Sequence, residues 1–542
     1  MNSPRAARDI VGALVAAGVR EVVVAPGSRN APLSTALHRA DRDGLLRLHV
    51  RIDERSAGFL ALGLALSTGT PAAVVTTSGT AVGNLLPAVM EASAAGVPLV
   101  VVSADRPARL VGSGANQTTD QDRLYGVHAR ATANLSSADA PSHAVHAIVQ
   151  RLVHEAVGTR TRRPGPVQLN VQFAPPLLEP TPGEPIPAVR PLVVGRPGRS
   201  VLDLDGTPRT VVLAGAADPA TGSRARAVAE AAGVPLLAEP SSNARAGDNA
   251  IAGYRLLLGR DDLGGRIERV VLVGHPTLSR PVTALLERDD VELVVVSGGA
   301  TWPDPGHRVA VVADDVRLEP SPDPHWLNRW RTADHVLRTR IDLVLGRERE
   351  SDGVTGPDVA ALVVERVGSG QNLVLGASNP IRDADLAPIS PEPATVYANR
   401  GLAGIDGTIS TASGVALGSG RPTTLLVGDV TAIHDTGGLW LGELERRPAL
   451  RVVVLDDQGG AIFHALEQGA LPHADSFERV FGTPHRVDLV AVARGFGWPA
   501  AEVSDLRELG ARLRVPPASP ELLVVPVVRT NRRRISEALS RL

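Results

Sequence analysis

Thr424-Leu425-Leu426-Val427-Gly428-Asp429, and further on Val452-Val453-Val454-Leu455 with Asp457-Gln458-Gly459-Gly460 behind it, decide how this chain is read. Short apolar runs bounded by glycine mark strands buried on both faces of a parallel sheet. Each acidic group then sits where a strand ends, and open α/β sheets bind ligands outside the carboxyl ends of their strands. Asp429 and Asp457 lie 28 positions apart. That distance accommodates a helical crossover and the next strand, so both carboxylates can face one crevice. Two carboxylates plus a backbone carbonyl suit Mg²⁺, which takes a few protein oxygens and completes its shell with phosphate.

The same alternation extends over the rest of the chain. From residue 1 to 180, Val22-Val23-Val24, Ala73-Val74-Val75 and Leu99-Val100-Val101-Val102 read as strands, with helices after Asn30, Glu54 and Thr80. Residues 181–208 are proline-rich and read as a linker. Residues 209–330 repeat the pattern with Val211-Val212-Leu213, Val270-Val271-Leu272-Val273 and Leu293-Val294-Val295-Val296. A second connection, 331–355, includes most of a charged helix from Trp326 to Arg349, and a third unit spans 356–542 with strands at Leu373 to Leu375 and Leu522 to Val528. The expectation is an α/β protein of three doubly wound parallel-sheet domains. The terminal Arg532-Arg533-Arg534 reads as a solvated helix face.

Composition excludes several chemistries. With 542 residues the chain exceeds one core. A formal net charge of −2 argues against a nucleic-acid-binding surface. There is no Cys, which removes disulfides, thiolate nucleophiles and iron–sulfur sites. All 56 basic residues are Arg; without Lys there is no Schiff-base aldolase, no pyridoxal-phosphate enzyme and no Walker A loop. The N-terminus lacks the pattern of a signal peptide, and apolar stretches such as Gly96 to Val102 are too short to span a bilayer. A soluble cytoplasmic protein without stable membrane insertion is expected.

The Gly-Asp and Asp-Gln-Gly-Gly segments resemble the diphosphate-anchoring motif of thiamine diphosphate enzymes, in which Gly-Asp is followed by Asn-Asn. Asp457 stands where those enzymes usually carry the metal-binding Asn, an exchange that keeps the oxygen ligand and adds a charge. The resemblance implies that Gly428, Asp429, Asp457 and Gly459 hold the cofactor, with Asp429, Asp457 and the Gly459 carbonyl on Mg²⁺ or Mn²⁺. Such enzymes also need a carboxylate that hydrogen-bonds N1′ of the aminopyrimidine, so that its 4′-nitrogen can take the proton from C2. Glu54, in Ile52-Asp53-Glu54-Arg55-Ser56-Ala57-Gly58, fits that place, although a glutamate there also suits a helix N-terminus by charge alone. The family places pyrimidine-binding and diphosphate-binding domains here at 1–180 and 356–542, around a central domain. It implies a homodimer or homotetramer with active sites between subunits.

A narrower resemblance rests on Ala25-Pro26-Gly27-Ser28-Arg29-Asn30, Ser103-Ala104-Asp105-Arg106-Pro107, Gly376-Ala377-Ser378-Asn379-Pro380-Ile381-Arg382, Asn399-Arg400-Gly401-Leu402-Ala403-Gly404-Ile405-Asp406-Gly407 and Gly459-Gly460-Ala461-Ile462-Phe463. These segments are similar to those of the 2-succinyl-5-enolpyruvyl-6-hydroxy-3-cyclohexene-1-carboxylate (SEPHCHC) synthase family of menaquinone biosynthesis. The implied reaction is decarboxylation of 2-oxoglutarate and 1,4-addition of the resulting succinyl carbanion to isochorismate. Both substrates are dicarboxylates, and arginine binds carboxylate bidentately while staying charged. Arg29, Arg106, Arg280, Arg382 and Arg400 are the candidates, with Arg280 the least anchored because the middle domain matches poorly. Gln117 suits a carbonyl or hydroxyl, and Ser378 lies beside Arg382. Ile405 resembles the apolar wedge beneath the cofactor, and Ile462 and Phe463 an apolar wall, or alternatively plain core. His434, His464, His473 and His485 show no metal-ligand spacing and carry no assigned role. Two other readings stand beside this one. An acetohydroxyacid-synthase-like lyase usually binds FAD, and no Gly-x-Gly-x-x-Gly follows a strand here. A non-catalytic protein of the same fold would not need Glu54, Asp429 and Asp457 together.

Overall fold

The computed structural model describes residues 2–138, 140–179, 184–469 and 474–542. The chain divides into two compact units. The first comprises Met1–Pro197, Gly401–Gly420 and Asp435–Pro448; the second comprises Gly198–Arg400, Arg421–His434 and Ala449–Leu542.

The first unit is built on a sheet of β1 (Glu21–Val24), β2 (Arg47–Val50), β3 (Ala72–Thr76), β4 (Leu99–Asp105), β5 (Thr132–Ser136) and β6 (Val167–Gln172). The spatial order is β2-β1-β3-β4-β6-β5, and every pairing is parallel. Successive side chains of a strand point to opposite faces. Val22, Val24, Ala73, Val75, Val100 and Val102 accordingly enter one core with Ile10, Leu14 and Leu37. Val23, Val74, Leu99 and Val101 enter the other with Leu60, Leu64 and Val89. Helices on both faces explain the unbroken apolar runs Val22–Val24, Ala72–Val75 and Leu99–Val102. The helix Glu54–Thr68 starts at the N-cap Asp53, whose carboxylate accepts from Arg55 N, and stops at Gly69 in the left-handed region (φ 65°). It crosses the helix Thr408–Ser419 with almost no side chain between them. A Cβ on Gly63 would lie 2.1 Å from Thr411 O, and one on Gly414 2.2 Å from Leu60 O.

The second unit carries two such sheets. One contains β8 (Thr210–Ala214), β9 (Leu236–Ala238), β10 (Arg269–Val273), β11 (Glu292–Val296) and β12 (Val309–Ala313), in the order β12-β11-β10-β8-β9. The other contains β14 (Asn372–Leu375), β15 (Thr395–Tyr397), β16 (Thr423–Gly428), β17 (Leu450–Asp456), β18 (Ala500–Glu502) and β19 (Glu521–Pro526), in the order β15-β14-β16-β17-β19-β18. All their pairings are parallel too. The protein is α/β, with three parallel sheets interleaved with helices.

Of two stretches expected as connections, one holds an unexpected strand and the other the expected charged helix. Val201–Leu204 (β7), inside the 181–208 linker, pairs in parallel with Asp315–Leu318 (β13); residues 181–183 lie outside the described residues. Residues 331–352 continue one 28-residue helix, His325–Asp352. Its charged residues mask an apolar stripe. Trp326, Trp330, Leu337, Ile341 and Leu345 recur at helical spacing and pack into the core beneath β8 and β10, with Trp326 Nε1 donating to Thr210 O at 2.9 Å. Of the terminal arginines, Arg532 departs from expectation, whereas Arg534 stays exposed. Arg532 is buried and forks onto Asp383 with two bonds of 2.8 Å, while Arg534 pairs with Glu348 at 2.5 Å.

The helix crossing gives a direct test. Gly63→Val should lower the denaturation midpoint of the protein, since overpacking a tight contact costs about 1–3 kcal/mol or more. Gly83→Ala, where an added Cβ meets nothing within 4 Å, should leave the midpoint unchanged or raise it. Equal midpoints for the two variants would contradict the backbone contact.

Candidate active site

In the first unit, the carboxyl ends of adjacent strands gather one group of the expected residues. Arg29 follows β1, Thr77 and Ser78 follow β3, and Arg106 follows β4. Arg106 donates from Nη1 to Ser78 Oγ at 2.9 Å and to Gln117 O at 3.4 Å. Ser78 Oγ donates to Gln117 O at 2.8 Å, and Gln117 Nε2 to Ser78 O at 3.0 Å. This lattice holds Gln117 in the left-handed region, φ 55°, a conformation that costs a side-chain-bearing residue on the order of 1 kcal/mol or more.

Arg29 donates from Nη1 to Phe173 O at 2.9 Å, while its Nε is buried without a partner. Burial, and then the charge of Arg106, hold the Arg29 guanidinium below its ordinary range. The nearby carboxylate, Asp105, is divided between Arg106 N at 2.7 Å and Asn170 Nδ2 at 2.9 Å, and burial pushes it up. Two neighbouring guanidiniums, one with an unfilled donor, could hold an anion, and a carboxylate matches their geometry.

Glu54 opens its helix directly after β2. The helix cap is Asp53, not Glu54, so the glutamate is not needed for that task. It is half-buried, with Asn84 Nδ2 3.4 Å from its Oε2. Ile405 is half-buried just ahead of the helix Thr408–Ser419, its carbonyl accepting from Thr408 Oγ1 at 3.2 Å.

In the second unit, β16 and β17 run side by side with Gly428 opposite Leu455, so Asp429 and Asp457 stand beyond neighbouring strand ends. Asp429 is buried; Oδ1 accepts from Val430 N at 2.6 Å, and Oδ2 from Gly459 N at 2.9 Å. Asp457 Oδ1 is buried with no hydrogen-bond partner. Burial pushes both carboxyls well above the carboxylate range, and for Asp457 the charge of Asp429 adds to it. Over Gly428 an added Cβ would meet nothing within 4 Å, whereas at Gly459 (φ 154°) it would meet Gly482 O at 2.3 Å. An orphaned carboxylate oxygen beside a second buried carboxylate, with open space above the glycine, fits a divalent cation carrying a diphosphate. The Gly459 carbonyl accepts from Ala461 N at 3.0 Å and keeps a second lone pair.

Two residues here had no role in the sequence reading. His485 Nε2 lies 3.1 Å from Asp429 Oδ2, and among the described residues Asp429, Asp456 and His485 bring ligand atoms within 4.8 Å of one another. Nothing local announces His485; a loop folds it back onto the strand ends. Asp456 sits beside Asp457, and only strand direction separates their positions. His473 lies outside the described residues.

The remaining arginines separate. Arg400, buried after β15, donates to Thr277 Oγ1 from Nε at 3.0 Å and from Nη2 at 2.6 Å, and to Thr277 O at 3.1 Å. Arg382 donates from Nη1 to Leu278 O at 2.6 Å. Ser378 precedes Arg382 with φ 73°, again outside the ordinary range for a residue with a Cβ. Arg280 is largely exposed and pairs with Glu467 at 2.8 Å, so the structure does not bring it to the other two. Ile462 and Phe463 lie half-buried in the short helix Ala461–Ala465, and the Phe463 ring sits 5.6 Å from that of Phe481.

The model of the thiamine pyrophosphate enzyme N-terminal TPP-binding domain matches residues 4–124, the stretch that carries Arg29, Glu54, Arg106 and Gln117. Parallel sheets with these residues at their carboxyl ends define a thiamine diphosphate-dependent enzyme. A SEPHCHC synthase of Arthrobacter sp. (strain FB24) is 49% identical, across 99% of this chain and 91% of the relative. One of Paenarthrobacter aurescens (strain TC1) is 48% identical across 100% and 97%, and one of Mycobacterium avium (strain 104) is 42% identical across 98% of each. The chain belongs to the SEPHCHC synthase family. No helix among the described residues is long and apolar enough to cross a membrane.

Asp457→Ala should abolish retention of thiamine diphosphate with Mg²⁺, whereas Asp457→Asn, which keeps an oxygen ligand, should retain it. Equilibrium binding of the cofactor to the folded variants decides this; normal affinity in the alanine variant would remove Asp457 from the metal site.

Proposed function

We propose that the protein joins the four-carbon succinyl unit of 2-oxoglutarate, with loss of CO₂, to isochorismate by 1,4-addition. The product would be 2-succinyl-5-enolpyruvyl-6-hydroxy-3-cyclohexene-1-carboxylate, for menaquinone biosynthesis. The observation that carries this reading is near-full-length identity to synthases of that name. The arginines at strand ends support it, because two dicarboxylic substrates need several fixed cations.

Thiamine diphosphate, when bound, supplies the electron sink for decarboxylation. Asp429, Asp457 and the Gly459 carbonyl would hold Mg²⁺ or Mn²⁺ and through it the diphosphate, with Gly428 giving it room. Glu54 would hold the hydrogen bond at N1′ of the aminopyrimidine, and Ile405 would support the cofactor from below. Arg382 and Ser378 would orient 2-oxoglutarate together with Arg400, while Arg29 and Arg106 would hold isochorismate. Gln117, pinned between Ser78 and Arg106, would present its amide to a substrate carbonyl or hydroxyl. Ile462 and Phe463 would exclude water. Arg280 enters only if its exposed pair with Glu467 opens. The proposal includes a pyrimidine-binding domain over 1–180, a central domain over 209–330, a diphosphate-binding domain over 356–542, a homodimeric or homotetrameric assembly, and a cytoplasmic location.

Protein mixed with thiamine diphosphate, Mg²⁺, 2-oxoglutarate and isochorismate should release CO₂ and consume isochorismate together; pyruvate accepted equally well as donor would count against the reading. Glu54→Gln should bind the cofactor yet exchange its C2 proton on the order of 10²–10⁴-fold more slowly, the usual contribution of a positioned acid–base group. Exchange at the parent rate would move that role elsewhere. Arg106→Ala should raise the isochorismate requirement sharply, a lost charged contact costing roughly 2–5 kcal/mol, while decarboxylation with an artificial electron acceptor survives. Loss of decarboxylation with unchanged isochorismate affinity would reverse the assignment.

A further inference from the structure

Glu239 follows β9 and is 1% exposed. Its carboxylate faces the loop that follows β10. Oε1 accepts from Thr277 N at 3.1 Å and from Leu278 N at 2.9 Å. That short loop is also the support of two arginines. Thr277 receives Arg400 on its hydroxyl and its carbonyl, and Leu278 O receives Arg382 at 2.6 Å. One carboxylate thus fixes two backbone amides, and the groups on either side of those amides fix two guanidiniums.

Nothing in the loop's own conformation demands a charge. Two backbone amides are satisfied by any neutral acceptor, and burying a carboxylate is costly by comparison. Burial pushes the Glu239 carboxyl up to about 7, against the pull of the Leu278 amide. The other buried acid nearby, Asp385, is committed differently: Tyr254 donates to it at 3.0 Å and Arg255 stands 3.4 Å away. Glu239 is therefore the acid joined to the Thr277–Leu278 loop, and Arg400 contributes a favourable charge to it. Among the described residues Arg382 makes only the bond to Leu278 O, so Nε and Nη2 of its fork stay available to a carboxylate.

We propose that Glu239 is a positioning residue that sets the aim of Arg382 and Arg400 through the Thr277–Leu278 loop, and so sets the affinity for the carboxylates of the 2-oxo acid substrate. This rests on the reading above in which those arginines hold 2-oxoglutarate. Misplacing a binding group by about an ångström is enough to cost up to 10²-fold.

The test compares steady-state kinetics of the holoenzyme carrying Glu239→Ala, Glu239→Gln, Thr277→Val, Arg382→Ala and the double variant Glu239→Ala/Arg382→Ala. Glu239→Ala should raise KM for 2-oxoglutarate on the order of ten- to a hundred-fold, with kcat, KM for isochorismate and cofactor affinity within a few-fold of the parent. Glu239→Gln keeps an acceptor oxygen and should recover most of the loss. Thr277→Val, at an exposed position, should shift the same KM in the same direction, which keeps the inference testable if Glu239→Ala does not fold. The double variant should be little worse than Arg382→Ala, because the two act in series. Multiplying effects in the double variant, an equal loss in every parameter for Glu239→Ala, or a parental KM in Thr277→Val would each overturn the positioning role. An Arg382→Ala variant with parental KM for 2-oxoglutarate would instead sink the substrate reading, and the inference with it.

Discussion

Asp429, buried, and Asp457, half-buried with its Oδ1 buried and unpartnered, stand at the ends of adjacent parallel strands. Such a pair cannot be a stability device. Burial disfavours each charge, and each charge disfavours the other. A cation would reverse both effects. Much of the surrounding structure converges on this pair. Gly459 turns its amide onto Asp429 in a place no side chain can enter, and His485 comes back from a distant loop to the same carboxylate.

The clustered arginines present the opposite problem, too much positive charge in too little water. Burial and then the charge of Arg106 depress Arg29, and burial and then the charges of Arg255 and Arg400 depress Arg382. In both units the guanidiniums are steadied by backbone carbonyls and hydroxyls, which fix direction without neutralising charge. Carboxylate compensation is held one step away, on Asp105 and Glu239.

The strands legible in the sequence were those buried on both faces. Val22 to Val24, Val270 to Val273 and Val452 to Leu455 are apolar at every position because helices cover both sides. Strands such as Arg47–Val50 and Ala500–Glu502 are only partly covered, and their polar or short runs gave no comparable signal; Val309–Ala313 is apolar throughout but only partly covered. The helix His325–Asp352 was legible as a helix but not as core, since its apolar stripe is diluted by charges on the other faces. Arg532 was misread for a related reason: a charged triplet looks solvated until Asp383, 149 positions away in sequence, is placed against it.

By itself the sequence determined the class of fold, the strand-end location of the acids and arginines, and the family, because these follow from local periodicity and from short segments with narrow chemistry. Tertiary structure decided which of those residues meet. It joined Arg106 and Gln117 through Ser78 within reach of the Arg29 charge, drew Arg382 and Arg400 to one loop, and left Arg280 outside on Glu467. It also brought in Glu239 and His485, which no spacing connects to the residues they hold. Hydrogen bonds between side chains distant in sequence depend on how loops return to the sheet, and that is set by packing of the whole unit rather than by any window of residues.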